Sequence, residues 1–147
     1  MPSKILVING PNMNLLGHRE TEIYGSMSLD DMEKSLKEMA GREKSDIDFF
    51  QSNFEGEILE KLHQARGRYQ GIIINPAGLS HTSYPLLDAI RALEIPVIEV
   101  HISNIFARGE NREKSLTASA CRGVICGMDW RGYLYALLEL TKGDRSV

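Results

Sequence analysis

Five short apolar runs alternate with segments of helical spacing, and this alternation constrains the fold more than any other feature of the sequence. The runs predict β-strands over residues 4–9, 47–51, 71–75, 96–101 and 123–126. Apolar residues three or four apart predict helices over residues 29–42, 55–68, 84–93 and 132–142. Strands that are apolar almost throughout are typical of parallel strands covered on both faces. The sequence therefore predicts one α/β domain, residues 1–147, with a doubly wound sheet of five parallel strands.

Composition and charge narrow the class of protein further. A chain of 147 residues with 42% hydrophobic and 25% charged residues is ordinary for a globular domain, which excludes disordered and collagen-like classes. No apolar run approaches the roughly 18 residues of a membrane span, and the first residues lack the pattern of a signal peptide. A net charge of −3 argues against a nucleic-acid partner. We expect a cytoplasmic protein with no membrane partner.

Several kinds of cofactor chemistry find no support in the sequence. Cys121 and Cys126 form no CxxC pair, so we expect reduced thiols, with Cys126 packed in the core. The histidines have neither HxxxH nor HExxH spacing, which argues against a metal site. The segment NGPNMNLLG matches no phosphate-binding loop, and no lysine is placed to form a Schiff base. We therefore expect no cofactor.

Polar side chains follow the predicted strands where a ligand crevice is expected. In an open parallel sheet, ligands bind outside the carboxyl ends of the strands. Asparagine, serine and histidine side chains there suit a small ligand with several hydroxyl groups. Helix caps and turns are the alternative explanation for any one of them. The residues are Asn9, Asn12, Asn14, Ser52, Asn53, Asn75, Ser80, His81, Glu99, His101, Ser103 and Asn104.

Among the histidines, His101 is the strongest candidate for acid–base chemistry. It ends an apolar strand, and Glu99 precedes it by two residues, so both side chains lie on the same strand face. A carboxylate there would select the tautomer of the imidazole. The alternative is a buried histidine with satisfied hydrogen bonds. His81, in the segment LSHTS, is either a site residue or part of a capping loop.

The stretch from residue 10 to residue 27 fits neither a strand nor a helix and is long for a loop in a compact domain. It carries Arg19 and Tyr24 between Gly17 and Gly25, which predicts a mobile loop around residues 17–26. A guanidinium close to a tyrosine stabilises its ionised form, so the pair is a candidate base. The alternative is a surface arginine and a tyrosine packed on the domain.

Two further arginines, Arg108 and Arg112, follow the fourth predicted strand in the segment NIFARGENREKS. They supply the local positive charge that a net acidic protein needs to bind an anion. A solvated helix start is the alternative.

Four segments resemble the type II 3-dehydroquinate dehydratases, also called type II dehydroquinases: ILVINGPNMNLLGHRETEIYG, QSNFEGEIL, IIINPAGLSHTSYPLLDAI and IPVIEVHISNIFAR. The resemblance covers about residues 5–140. It implies a flavodoxin-like fold, a homododecamer built as a tetramer of trimers, and no cofactor. It also implies a lyase that removes water from 3-dehydroquinate to give 3-dehydroshikimate through an enolate. That reaction serves the shikimate pathway of aromatic amino acid biosynthesis, or quinate catabolism.

The resemblance also implies a role for individual residues. Tyr24 matches the base that takes the C2 proton, and Arg19 matches the arginine that keeps this tyrosine ionisable. Asn12 matches the residue that holds a water against the enolate. His101, with Glu99 beside it, matches the acid that protonates the departing C1 hydroxyl. Asn75, His81 and Arg112 match residues that hold the hydroxyls of the substrate. The backbone N–H groups of Ile102 and Ser103 match those that bind its carboxylate. Asp88 matches a residue that reaches a neighbouring subunit's site.

The sequence departs from the family pattern in three places. The family usually has RExFR where this chain has Arg108 to Arg112 with Gly109 and Asn111 between, so a carboxylate and an aromatic ring beside Arg112 are lost. Tyr84-Pro85 stands where small apolar residues are usual, and Met128-Asp129-Trp130 replaces a glycine-rich turn. We expect these changes to affect subunit contacts more than chemistry. The rival functions are a module that binds flavin or nucleotide at the same edge, and an assembly subunit without activity.

Overall fold

The computed structural model describes residues 3–142 and places the five predicted strands in one sheet. All neighbouring strands pair in parallel, in the order β2-β1-β3-β4-β5. This is the strand order of flavodoxin-like sheets, so the predicted doubly wound fold is confirmed. The strands are β1 (Lys4–Asn9), β2 (Asp46–Gln51), β3 (Gly71–Asn75), β4 (Val97–His101) and β5 (Gly123–Cys126).

Helices cover both faces of the sheet. They are α1 (Thr21–Tyr24), α2 (Leu29–Arg42), α3 (Glu55–Ala65), α4 (Tyr84–Arg91) and α5 (Arg131–Thr141). One apolar core packs α2 and α5 on the first face, and the second core packs α3 and α4 on the other. None of the helices within residues 3–142 has the length and apolar character needed to cross a membrane.

The central strand β1 shows why the apolar runs are uninterrupted. Ile5 and Val7 point into the core with α2 and α5, whereas Leu6 and Ile8 point into the core with α3 and α4. Successive side chains of a strand face opposite sides of the sheet, so a strand buried on both sides is apolar at most of its positions.

The predicted boundaries differ from the structure by one residue at β2, β4 and α5, and by more at the places that follow. The helix predicted for residues 55–68 ends at Ala65, because Arg66 leaves the helical region and Gly67 has a φ of 75°. The helix predicted for residues 84–93 ends at Arg91. The stretch of residues 10–27 is not an irregular loop throughout, since it contains a 3₁₀ turn at Met13–Leu15 and the short helix α1.

The prediction for one cysteine was wrong. Cys126 is only partly buried and lies on β5, which forms an edge of the sheet within residues 3–142. Both cysteines are free thiols. Burial, followed by the nearby charge of Glu99, raises the pKa of Cys121 to about 12.

A close backbone approach at Gly10 brings the segment after β1 against the segment after β3. The Gly10 N–H donates to the carbonyl of Asn75 at 2.8 Å. A Cβ atom at position 10 would lie 2.5 Å from the carbonyl oxygen of Pro76, so a larger residue does not fit without a shift. This contact joins the two loops that form one side of the site.

Candidate active site

A pocket of about 210 Å³ lies at the carboxyl edge of the sheet, between the loops that follow β1, β3 and β4. Most of the residues predicted from the sequence line it. They are Asn12, Arg19, Tyr24, Asn75, His101, Ile102, Ser103 and Arg112. The loops come together here because parallel strands end at the same edge of the sheet.

Glu99 lies directly behind the pocket and is bonded to His101, as the strand spacing predicts. His101 donates from Nε2 to Glu99 Oε2 at 2.8 Å, and both side chains are buried. Ser115 Oγ also donates to Oε2, at 2.7 Å, and Thr117 Oγ1 donates to Oε1. Burial raises the pKa of Glu99, but the hydrogen bonds from His101, Thr117 and Ser115 together hold it below its usual value.

The roles of Ser115 and Thr117 were missed by the sequence reasoning. A carboxylate in a fully buried strand needs hydrogen-bond donors, since an unpaired buried charge is very costly. The position of Glu99 within an apolar strand therefore indicated that hydrogen-bond donors to its carboxylate exist elsewhere in the chain. Nothing in the segment KSLT, residues 114–117, identified them.

This network sets the hydrogen-bonding state of His101. Because the Nε2 proton is donated to Glu99, a neutral ring presents Nδ1 as an acceptor, whereas a doubly protonated ring donates from Nδ1. His101 lines the pocket, so its ring can give a proton to a bound molecule and remain paired with Glu99.

Tyr24, at the end of α1, is held by two arginines. Arg108 Nη1 donates to Tyr24 Oη at 2.6 Å. The guanidinium carbons of Arg19 and Arg108 lie 5.1 and 5.2 Å from the centre of the tyrosine ring. The predicted proximity of Arg19 to Tyr24 is therefore present. The short hydrogen bond to the hydroxyl comes from Arg108, for which sequence reasoning expected only a role in anion binding.

Arg19 itself is shared between the pocket and a neighbouring carboxylate. Its Nη2 lies 2.6 Å from Glu20 Oε2. The hydrogen bond to Glu20 and, more weakly, the tyrosine keep the pKa of Arg19 above its usual value, although burial opposes this. The charge of Arg19 is thus partly balanced by Glu20.

Asn12 enters the pocket from a left-handed backbone conformation. Its φ is 71°, a region that asparagine tolerates better than most residues. Its backbone N–H donates to Asn53 Oδ1 at 2.9 Å, and Gln51 Nε2 donates to the same oxygen at 3.2 Å. The loop after β2 therefore supports the loop that carries Asn12.

Asn75 ends β3 and is 4% exposed in the pocket wall. Its Oδ1 accepts from the backbone N–H of Ala77 at 3.0 Å, and its Nδ2 donates to the Tyr133 hydroxyl at 2.9 Å. Sequence reasoning did not identify Tyr133, which lies within the apolar spacing of α5 and reads as an ordinary core residue.

Arg112 lines the pocket in spite of the departures from the family pattern. The three residues before it, Gly109, Glu110 and Asn111, have φ angles of 67°, 56° and 65°. Glycine and asparagine adopt this region most readily, so the two substituted residues suit the turn. Arg112 Nε lies 3.7 Å from Glu110 Oε2, and its side chain is partly exposed.

Three predicted site residues lie outside the pocket lining: Glu99, which lies behind it, His81 and Asp88. His81 is close to the loop that carries Arg112, and its Nδ1 bonds to the carbonyl of Lys114 at 2.6 Å. Asp88 is exposed on α4. A role for Asp88 in another subunit's site stays a prediction, as does the mobility of residues 17–26.

The charge of the pocket favours an anionic ligand. Three arginines, Arg19, Arg108 and Arg112, line it in a chain whose net charge is −3. Amide and hydroxyl groups from Asn12, Asn75 and Ser103 share the same wall. The site can therefore bind a carboxylate that also carries hydroxyl groups, with a tyrosine and a histidine available for proton transfer.

Known proteins are similar to this chain over nearly its whole length. The family described as dehydroquinase class II matches residues 3–141. A 3-dehydroquinate dehydratase from Helicobacter hepaticus is 53% identical over 138 residues, 93% of this chain and 87% of that protein. The crystal structure of a type II dehydroquinase from Butyrivibrio crossotus has a TM-score of 0.94 at 40% identity and covers 96% of this chain and 99% of that chain. The crystal structure of a type II dehydroquinase from Propionibacterium acnes has a TM-score of 0.92 at 40% identity and covers 96% of this chain and 97% of that chain. The pocket, the sheet order and these matches agree, and the chain belongs to the class II dehydroquinase family.

Proposed function

We propose that this chain dehydrates 3-dehydroquinate to 3-dehydroshikimate by anti elimination through an enolate. The observation that carries the proposal is the pairing of Tyr24 with Arg108 and of His101 with Glu99 in one pocket. Each pair consists of a proton-transfer group and a charged residue that stabilises its reactive form. The family match over residues 3–141 supports the choice of substrate.

The first step is removal of a proton from C2, next to the ketone. Tyr24, as the tyrosinate, accepts this proton, the electron pair of the C–H bond forms the C2–C3 double bond, and the π electrons of the ketone move onto its oxygen. The guanidinium groups of Arg108 and Arg19 stabilise the tyrosinate before the transfer. Asn12 holds a water that donates a hydrogen bond to the enolate oxygen.

The second step expels the hydroxyl group from C1. The enolate electrons form the C1–C2 double bond as the C1–O bond breaks, and doubly protonated His101 gives the departing oxygen its proton. Water leaves, and His101 returns to the neutral form still bonded to Glu99. Proton transfer by a positioned group of this kind contributes about 10²- to 10⁴-fold in rate.

The remaining residues bind the substrate. The backbone N–H groups of Ile102 and Ser103 hold the carboxylate, and Asn75, Arg112 and His81 hold the hydroxyl groups. The position of Asn75, Ile102, Ser103 and Arg112 in the pocket lining supports these roles. His81 would have to act from beside the pocket, next to the Arg112 loop.

The direct test is to add 3-dehydroquinate to the purified protein and to follow the ultraviolet absorbance of the conjugated enone product. Tyr24→Phe should lower kcat by about 10²- to 10⁴-fold. Tyr69→Phe is the matched control, because Tyr69 also carries a hydroxyl bonded to a side chain at 2.6 Å, that of Asp48, outside the pocket. No enone absorbance with the wild-type protein would overturn the proposed reaction.

We also propose a homododecamer, a tetramer of trimers, in which Asp88 reaches the site of another subunit. The exposure of Asp88 and the exposed ring of Tyr84 at the start of α4 support a contact at this helix. Closed symmetry of such contacts favours a finite assembly. Sedimentation as a stable monomer at micromolar concentration would contradict this proposal.

A cytoplasmic location is the last part of the proposal. The two free thiols, Cys121 and Cys126, support it, because free thiols persist in reducing compartments. The measurement is fractionation of the source cells with an antibody against the chain.

A further inference from the structure

Behind the pocket, the buried hydroxyl of Tyr133 connects two strand ends. Tyr133 lies on α5 with no exposed surface. Its hydroxyl donates to Asn9 Oδ1 at 2.6 Å and accepts from Asn75 Nδ2 at 2.9 Å. Asn9 ends β1 and Asn75 ends the neighbouring strand β3. A chain of polar groups thus runs beneath the pocket, inside an otherwise apolar core.

The hydrogen bond at Ala77 fixes which group is the donor and which is the acceptor in each of the other bonds of this series. The backbone N–H of Ala77 can only donate, so Asn75 Oδ1 must be the acceptor. Asn75 Nδ2 is then a donor, and the Tyr133 oxygen accepts from it. The single proton of Tyr133 goes on to Asn9 Oδ1. Burial raises the pKa of Tyr133, so the hydroxyl keeps this proton.

The orientation of the Asn75 amide decides whether its side chain donates to or accepts from a ligand. Asn75 Nδ2 has two N–H groups, and one of them is used by Tyr133. The other has, within residues 3–142, only the thioether sulfur of Met13 at 3.6 Å, which is a weak acceptor. Asn75 and Met13 both line the pocket. An oxygen atom of a bound molecule would be a stronger acceptor than the sulfur.

We propose that Tyr133 is a positioning residue that holds the Asn75 amide with its nitrogen toward the substrate, so that Asn75 donates to a substrate oxygen. The inference rests on the proposed function and adds the polarity of one substrate contact. Tyr133 does not touch the reacting atoms. Its effect passes through Asn75 and concerns binding, whereas Tyr24 and His101 carry out the chemistry.

Tyr133→Phe tests the proposal, because it keeps the ring and removes only the hydroxyl. We expect KM for 3-dehydroquinate to rise about 3- to 10-fold, the effect of one misplaced neutral hydrogen bond, with kcat changed less than about twofold. In an Asn75→Ala background, Tyr133→Phe should leave KM unchanged, since there is no amide left to position. Tyr69→Phe, which removes a tyrosine hydroxyl far from this chain of bonds, should leave both constants unchanged.

The outcomes separate this inference from the proposed reaction. Wild-type protein without dehydratase activity would overturn both. Active wild-type protein with an unchanged KM in Tyr133→Phe would overturn only the role of Tyr133, as would an equal rise in the Asn75→Ala background or a loss confined to kcat. If Tyr133→Phe does not fold, Asn9→Ala removes the acceptor that orients the hydroxyl. A KM for 3-dehydroquinate above the wild-type value in Asn9→Ala supports the proposal, and a wild-type KM overturns it.

Discussion

Replacing Arg108 by methionine is the sharpest test of how the proposed base, Tyr24, is activated. Arg108 Nη1 donates a hydrogen bond to Tyr24 Oη at 2.6 Å. Methionine keeps an unbranched apolar stem of similar reach and removes the guanidinium. The substitution therefore deletes the hydrogen bond and the charge with little loss of packing.

The size of the effect follows from the contact. A hydrogen bond to a charged group contributes about 1.5–3 kcal/mol. Because about 1.36 kcal/mol corresponds to a factor of ten in rate, kcat should fall about 10- to 150-fold. The fall should be smaller than that of Tyr24→Phe, since the guanidinium of Arg19 remains 5.1 Å from the ring centre in the Arg108→Met variant.

The assay is a double-mutant cycle on kcat, followed by the enone absorbance of the product. If Arg108 acts through the tyrosine, Arg108→Met should cost little more in a Tyr24→Phe background. A wild-type kcat, or an equal loss with and without the Tyr24 hydroxyl, would refute the reasoning.

Three further predictions concern the fold and the residues around the site. Burial raises the pKa of Glu99, but the hydrogen bonds to its carboxylate hold this pKa below the usual 4.5 in the folded protein. The carboxylate therefore stabilises the fold above about pH 4.5, and this stabilisation is lost as the pH falls through the lower pKa of the folded state. Urea unfolding at several acid pH values should therefore show that the free energy of unfolding falls more steeply with decreasing pH for wild type than for Glu99→Gln. Parallel dependence of the two free energies on pH would contradict this. With its pKa raised to about 12 by burial, Cys121 should resist iodoacetamide until the chain unfolds, as mass spectrometry of the labelled peptide can show. Gly10→Ala should destabilise the protein by about 1–3 kcal/mol, since the added Cβ would lie 2.5 Å from the Pro76 carbonyl oxygen. Gly56→Ala, where a Cβ meets nothing within 4 Å, is the control and should be neutral or stabilising.

The spacing of residues within single strands could be read from the sequence. Glu99 and His101 are two apart on β4, which places them on one face, and the structure joins them at 2.8 Å. The alternation of apolar runs and helices likewise predicts the parallel sheet, because strands covered on both faces are apolar at most positions. Asn75 and Asn12 could be located at the pocket edge for the same reason, since they follow strands whose ends must meet.

The partners of these residues were decided only by the tertiary structure. Arg108 bonds to a hydroxyl 84 positions earlier in the chain, and Tyr133 bonds to Asn9 across 124 positions. Thr117 meets Glu99 because the segment after β4 turns back over that strand. Periodicity describes which side of an element a residue faces, whereas contacts of this kind depend on the path of the loops and on how α5 packs against the sheet. The sequence by itself therefore determined the fold class and the edge of the sheet where the pocket lies, and the tertiary structure decided which charged groups and hydroxyls contact the residues there.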